Sequence, residues 1–135
     1  MRGLVFTGVG QMEVRQFPDP IPGVGQVVVD IRCTSLCGSD LHNLHNPNLN
    51  HNLIMGHEGA GVVSAVGPGV TKVKVGDRVA LYHVVSCGKC KFCMAGYAQF
   101  CTQDRRALAG IEHGTDADKV LVKEDNCLPL PDDIS

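Results

Sequence analysis

The amino-acid sequence predicts a mainly β fold, a small and sharply curved sheet or barrel that carries one short helix. Three observations point there. From Val27 to Cys33, residues Val27, Val29, Ile31 and Cys33 share one face while Val28, Asp30 and Arg32 share the other, and the stretch is rich in β-branched side chains. Sixteen glycines in 135 residues suit tight turns and curvature better than a helical bundle. Turn formers at Gly67-Pro68-Gly69 and Gly76-Asp77 separate two further strand candidates.

In chain order, "GLVF" (3–6) and "MEVRQF" (12–17) are weaker strand candidates ahead of the alternating stretch. A short helix is expected just after Thr34-Ser35, around "LCGSDLHNLH", and the polar "HNPNLNHN" that follows reads as an exposed loop. "GVVSAV" (61–66) and "DRVALY" (77–82) are the strands on either side of the glycine-proline turns. "KVLVK" (119–123) is another strand candidate, and "CLPLPDDIS" reads as a strand running into a linker. There is no internal repeat.

Composition narrows the function classes. Hydrophobic residues are 44% and charged residues 19%, as in an ordinary globular domain of this length. The net charge is −2 and the twelve Lys and Arg never cluster beyond a pair, which argues against a nucleic-acid surface. Apolar runs of three or four residues fall far short of the ~20 that a membrane-spanning helix needs. The N-terminal "MRGLVFTGVGQMEV" has no apolar h-region and the sequence has no Asn-x-Ser/Thr sequon, so a cytoplasmic setting is expected. There, closely spaced cysteines suggest metal rather than disulfides.

Four of the seven cysteines fall within "CGKCKFCMAGYAQFC", at Cys87, Cys90, Cys93 and Cys101. Zinc takes four soft ligands in a tetrahedron, and Cys-x2-Cys pairs bring two thiolates to one ion from a tight turn. Gly88 and Gly96 let the backbone fold round it. The rival is an iron–sulfur cluster, but there the next cysteine usually follows after three residues and precedes proline; here it follows after seven and precedes Thr102. Disulfides or inert thiols are the third reading. A closed four-thiolate zinc site leaves no position for substrate, so chemistry is to be sought elsewhere. Upstream, "CGSDLH" (37–42) and "GHEGAG" (56–61) supply one thiol, one imidazole and an adjacent carboxylate, the donor types of an open zinc site. Spacing alone makes that a weak signal.

In combination, "CGSDLH", "GHEGAGVVSAVGPGVTKVKVGDRV" and "CGKCKFC…C" resemble the zinc-dependent alcohol dehydrogenases of the medium-chain dehydrogenase family. The resemblance runs over nearly the whole chain. It implies a GroES-like β-barrel over residues 1–135, the catalytic domain, with a zinc lobe at 87–101. It implies Cys37 and His57 as ligands of a catalytic zinc, with Glu58 beside the metal and able to approach it during ligand exchange. Asp40 corresponds to the carboxylate that orients His57. Ser39 corresponds to the hydroxyl that takes the proton of the alcohol, and His42 to the outer member of that relay. Cys87, Cys90, Cys93 and Cys101 correspond to the structural zinc ligands.

The chemistry is consistent with these roles. Zinc makes an alcohol hydroxyl far more acidic, which eases hydride loss from carbon. The released proton needs a path out of a dry pocket, and a hydroxyl-to-imidazole chain supplies one. Plainer readings stand beside them: Ser39 as a cap of the short helix, and His42 and His45 as solvated surface groups. His51, His83 and His113 have no motif around them and receive no role. Cys33 and Cys127 are expected in the core.

The sequence departs from the family in one respect. "GVG", "GAG" and "GPG" occur, but none continues to the third glycine of a G-x-G-x-x-G dinucleotide fingerprint. The third protein ligand of the catalytic zinc also lies beyond this region in the family. A Rossmann coenzyme domain is therefore expected to be absent from this chain, a truncation or a stand-alone relative. Two functions follow. One is the catalytic, zinc-binding domain of an NAD(P)-dependent alcohol or polyol dehydrogenase, acting on a small-molecule alcohol, inactive alone and prone to self-association. The other is a non-catalytic, zinc-stapled β-barrel that binds or assembles.

Overall fold

A computed structural model describes residues 1–48, 52–110 and 112–134. The fold is mainly β. Strands β1 (Arg2–Gly8) and β2 (Gln11–Gln16) form an antiparallel hairpin turned at Gly10. Strand β3 (Gln26–Ser35) is the centre of a five-stranded antiparallel sheet with β4 (Glu58–Val66), β5 (Arg78–Leu81), β8 (Lys119–Lys123) and β9 (Cys127–Pro129), in the order β8-β3-β4-β5-β9. Strands β6 (Val84–Val85) and β7 (Arg106–Ala107) pair separately. Helix α1 (Gly38–Leu44) follows β3, and the short α2 (Lys91–Met94) lies in the thiol-rich segment. The expected curved sheet with one short helix and a thiol lobe is found, and the hydrogen-bonded sheets stay open rather than closing into a continuous barrel.

Alternation explains the core. Val27 and Val29 of β3, Val63 of β4, Val79 of β5, and Val120 and Val122 of β8 are all at most 1–2% exposed and pack in one cluster. Two expectations fail on β3. Val28, assigned to the polar face, is buried, and Cys33, assigned to the core, is exposed. The register of β3 on β4 shifts between Val28 and Val29 and again between Ile31 and Cys33. The first leaves Ser64 of β4 as the extra residue, and the second leaves Arg32 of β3 as the extra residue and breaks that strand's two-residue period, so Cys33 and its successors run past the core. Cys127 is buried as expected, and burial pushes its thiol up to about 12. The strand expected at 77–82 spans only Arg78–Leu81, whereas that expected at 61–66 extends back to Glu58.

The polar loop after α1 turns at residues 45–48, where His45, Pro47 and Asn48 are exposed. Its residues 49–51, with His51, lie outside the described residues. No described helix is long and apolar enough to cross a membrane.

Candidate metal centres

The thiol lobe grows from β6 by a turn at Gly88, which has φ +71° and so takes the left-handed conformation that glycine tolerates. Cys87 precedes that turn, Cys90 caps α2, Cys93 lies within α2, and Cys101 follows a 3₁₀ turn at Ala98–Phe100. The four sulfurs lie within 4.8 Å of one another. Cys90 and Cys93 are 3.5 Å apart, Cys87 and Cys93 3.9 Å, and Cys90 and Cys101 4.0 Å. A tetrahedron with zinc–sulfur bonds of about 2.3 Å has edges of about 3.8 Å, so these sulfurs fit one zinc ion. All four cysteines are free thiols.

Backbone amides prepare the lobe for negative charge. The N–H of Cys90 donates to Cys87 Sγ at 3.4 Å, and the N–H of Asp104 to Cys101 Sγ at 3.4 Å. The Asp104 amide, with that of Cys87, lowers the Cys101 thiol to about 6. Asp104 also ties the lobe to the sheet. Its carboxylate accepts from Arg106 at 2.6 and 2.9 Å and from Lys123 at 3.2 Å, and these hold it down at about 2.

The second cluster forms where β3, α1 and β4 meet. Cys37 is the N-cap of α1, His57 immediately precedes β4, and Glu58 is its first residue. The sulfur, a ring nitrogen and a carboxylate oxygen of these residues lie within 4.8 Å of one another. Asp40 is 3% exposed and stands behind them. Its Oδ2 accepts the Cys37 N–H at 2.9 Å, and its Oδ1 lies 3.4 Å from His57 Nδ1. That Oδ1 has no hydrogen-bond partner among the described residues, so an Nδ1–H on His57 is the donor it is placed to meet. With the proton there, Nε2 carries the free lone pair. Thiolate, imidazole and carboxylate are a donor set that zinc accepts, so the residues present fit the ion. Glu58 Oε2 accepts from Ser35 Oγ at 2.6 Å, and that bond, with one to Cys37 and the nearby His57, holds the carboxyl below its usual range.

Ser39 Oγ lies 3.4 Å from His57 Nε2, and both residues line a cavity of about 240 Å³. The Ser39 hydroxyl therefore faces the site, and the helix cap is Cys37. His42 is exposed on α1, three residues beyond Ser39, and no hydrogen bond joins the two among the described residues. The cavity is also lined by Asn43, His83 and Leu108. His83 lies with its ring 5.8 Å from that of His57, although nothing in its sequence surroundings marks it. Thr34, Thr115 and Asp116 also reach this corner. Thr34 Oγ1 donates to Asp116 Oδ1 at 2.7 Å and lies 3.1 Å from Thr115 Oγ1. Burial raises the Asp116 carboxyl, against the Thr34 bond and with the charge of Asp40 nearby. His113 lies apart, its Nδ1 accepting the Ile54 N–H at 3.1 Å, and burial lowers its pKa.

Comparison with known proteins gives a consistent set of likenesses. The family model for the alcohol dehydrogenase GroES-like domain matches residues 23–132. An uncharacterized zinc-type alcohol dehydrogenase-like protein, AdhB of Bacillus subtilis, is 38% identical over 76% of this chain and 28% of its own length. A probable D-xylulose reductase A of Aspergillus clavatus is 36% identical over 97% of this chain and 38% of its own. A solved structure described as a short chain alcohol dehydrogenase (rspB) of Escherichia coli CFT073, in complex with NADH, superposes with a TM-score of 0.89 at 32% identity, covering all of this chain and 40% of that one. The chain thus spans well under half the length of these relatives.

Proposed function

Since the chain belongs to the alcohol dehydrogenase GroES-like domain family, we propose that it serves as the zinc-binding catalytic domain of an alcohol or polyol dehydrogenase that uses NAD or NADP. The observation that carries this reading is the convergence of Cys37, His57 and Glu58, with Asp40 behind the imidazole and Ser39 in front of it. Zinc held by Cys37 and His57, with Glu58 in reach, would supply Lewis acidity that lowers the pKa of an alcohol hydroxyl.

The chain's own side chains do the rest. Asp40 Oδ1, 3.4 Å from His57 Nδ1, is placed to receive that ring's N–H, which would fix the ring and present Nε2 to the site. Asp40 also holds the Cys37 amide, so one carboxylate sets both candidate ligands. Ser39 Oγ, beside Nε2, is placed to take the proton of the alcohol. His42 lies three residues along α1, on the same helical face as Ser39, and its exposed imidazole suits delivery of that proton to water. The four-thiolate centre is assigned a structural role, because a closed set of four protein ligands leaves no coordination position for substrate. The dinucleotide is not assigned to these residues, since none of the glycine pairs continues to a third glycine. The alcohol is a small molecule, in keeping with a cavity of about 240 Å³. Exposed Met94, Tyr97 and Phe100 on the thiol lobe favour self-association.

Zinc stoichiometry tests the reading. The chain equilibrated with micromolar zinc is expected to hold two ions, the one at Cys37 and His57 leaving first under mild chelation. One ion per chain under all conditions would favour the stapled, non-catalytic barrel instead.

A further inference from the structure

His57 and Glu58 stand between two glycines, Gly56 and Gly59, and both glycines are covered from the same side. Gly56 has φ +82°, and a Cβ placed on it would collide with the Asp116 carboxylate. A Cβ on Gly59 would meet Thr115 Cβ at 2.7 Å. Residues 114–116 therefore form a strap across the corner that carries the two candidate ligands. Backbone hydrogen bonds seat it: Gly114 N–H to Ile54 O at 2.8 Å, Thr115 N–H to Gly56 O at 2.9 Å and Asp116 N–H to Met55 O at 2.8 Å. Thr115 is fully buried. The strap is anchored in turn to the end of β3, because Thr34 Oγ1 donates to Asp116 Oδ1 at 2.7 Å.

We propose that Asp116 is a positioning residue for the open metal centre: held by the Thr34 hydroxyl, its carboxylate closes over Gly56 and fixes the direction in which His57 leaves the backbone. The inference rests on the reading of Cys37 and His57 as metal ligands. Asp40 orients the imidazole from the helix side, through the ring nitrogen. Asp116 acts from the opposite element, through the backbone before His57, and touches neither metal nor substrate. An acceptor oxygen of the right shape is what this role needs, and the negative charge is incidental to it.

The test is a cobalt(II) titration of the full chain after zinc removal, followed in the visible bands of the ion. The four-thiolate site and the mixed thiolate–imidazole site differ in intensity and position, so both are read in one experiment. Asp116→Ala and Thr34→Val are each expected to weaken the mixed site about 10- to 100-fold, the usual effect of losing a group that supports a metal ligand, with the four-thiolate bands unchanged. Asp116→Asn keeps the acceptor oxygen and is expected to restore most of the affinity. Undiminished affinity in both Asp116→Ala and Thr34→Val overturns the proposal, and so does an Asp116→Asn variant as weak as Asp116→Ala. Cys37→Ala separates the proposal from its premise: if that variant takes up cobalt as the parent does, the metal reading itself falls and the positioning role with it. Should Asp116→Ala lose the four-thiolate bands through failure to fold, Thr34→Val decides.

Discussion

One carboxylate, Asp40, reaches both the Cys37 amide and the His57 ring, yet the group expected to meet the substrate is its neighbour in sequence, Ser39. Ser39 is the second residue of α1, past the cap, and its hydroxyl points to Nε2 of His57. Under the proposed dehydrogenase function, Ser39→Ala is expected to lower turnover on the order of 10²–10⁴-fold, the range of general acid–base groups, with little change in melting temperature. His42→Gln should cost less, and its deficit should shrink as pH rises, because an outer proton acceptor matters least when hydroxide is plentiful. Turnover and thermal melting on the same samples check both; a normal rate with a lowered melting point in Ser39→Ala would return Ser39 to a structural role. At this scale the residues of "CGSDLH" and "GHEGAG" were legible through the family resemblance, since their spacing alone is a weak signal. Asp116, Thr34 and His83 were not, since they arrive from strands and loops remote in sequence. Cys33 was misplaced because a register shift is invisible to alternation.

At the scale of elements, the lobe between β6 and β7 has little buried apolar packing of its own. Its helix α2 buries no residue, and Met94, Tyr97 and Phe100 are more than half exposed. The Asp104 bridge anchors the base of the lobe, and the four sulfurs within 4.8 Å are the proposed site of an ion that would hold them together. Cys93→Ser is expected to remove about one zinc per chain and to destabilise the domain by several kcal/mol, because metal binding and folding of such a lobe are coupled. Metal analysis with chemical denaturation checks this, and an unchanged zinc content would remove the assignment. The strand at Lys119–Lys123 coincides with its expected bounds because a short β-branched run is bounded by a lysine at each end. β6 and β7, two residues each, are too short for any period to register.

For the molecule as a whole, the Arg2–Asp118 ion pair stitches the first strand to the last third of the chain. Asp118 accepts from the Arg2 side chain at 2.9 Å and from the Arg2 N–H at 2.7 Å, and these bonds depress its carboxyl to about 2. A depressed carboxylate stabilises the folded state fully above its unfolded value, about 3.9, and that contribution is lost as pH falls through about 2. Asp118→Asn should therefore melt lower than the parent at neutral pH, with the gap closing between about pH 4 and pH 2. A gap independent of pH, measured by calorimetry, would contradict this. Such long-range partners could not be read from local periodicity, and neither could the strand order, because each depends on which distant segment fills an edge.

That strand order has a consequence for synthesis. β3 lies between β4 and β8, and Lys119 of β8 comes 89 residues after its partner Asp30. At about 5–20 residues per second on the ribosome, one edge of β3, with its run of buried valines, waits roughly 4–18 s for the strand that covers it. During that interval the nascent chain presents an unpaired, β-branched edge of the kind that invites aggregation. That exposure ends only when the "KVLVK" segment has left the exit tunnel and pairs with β3.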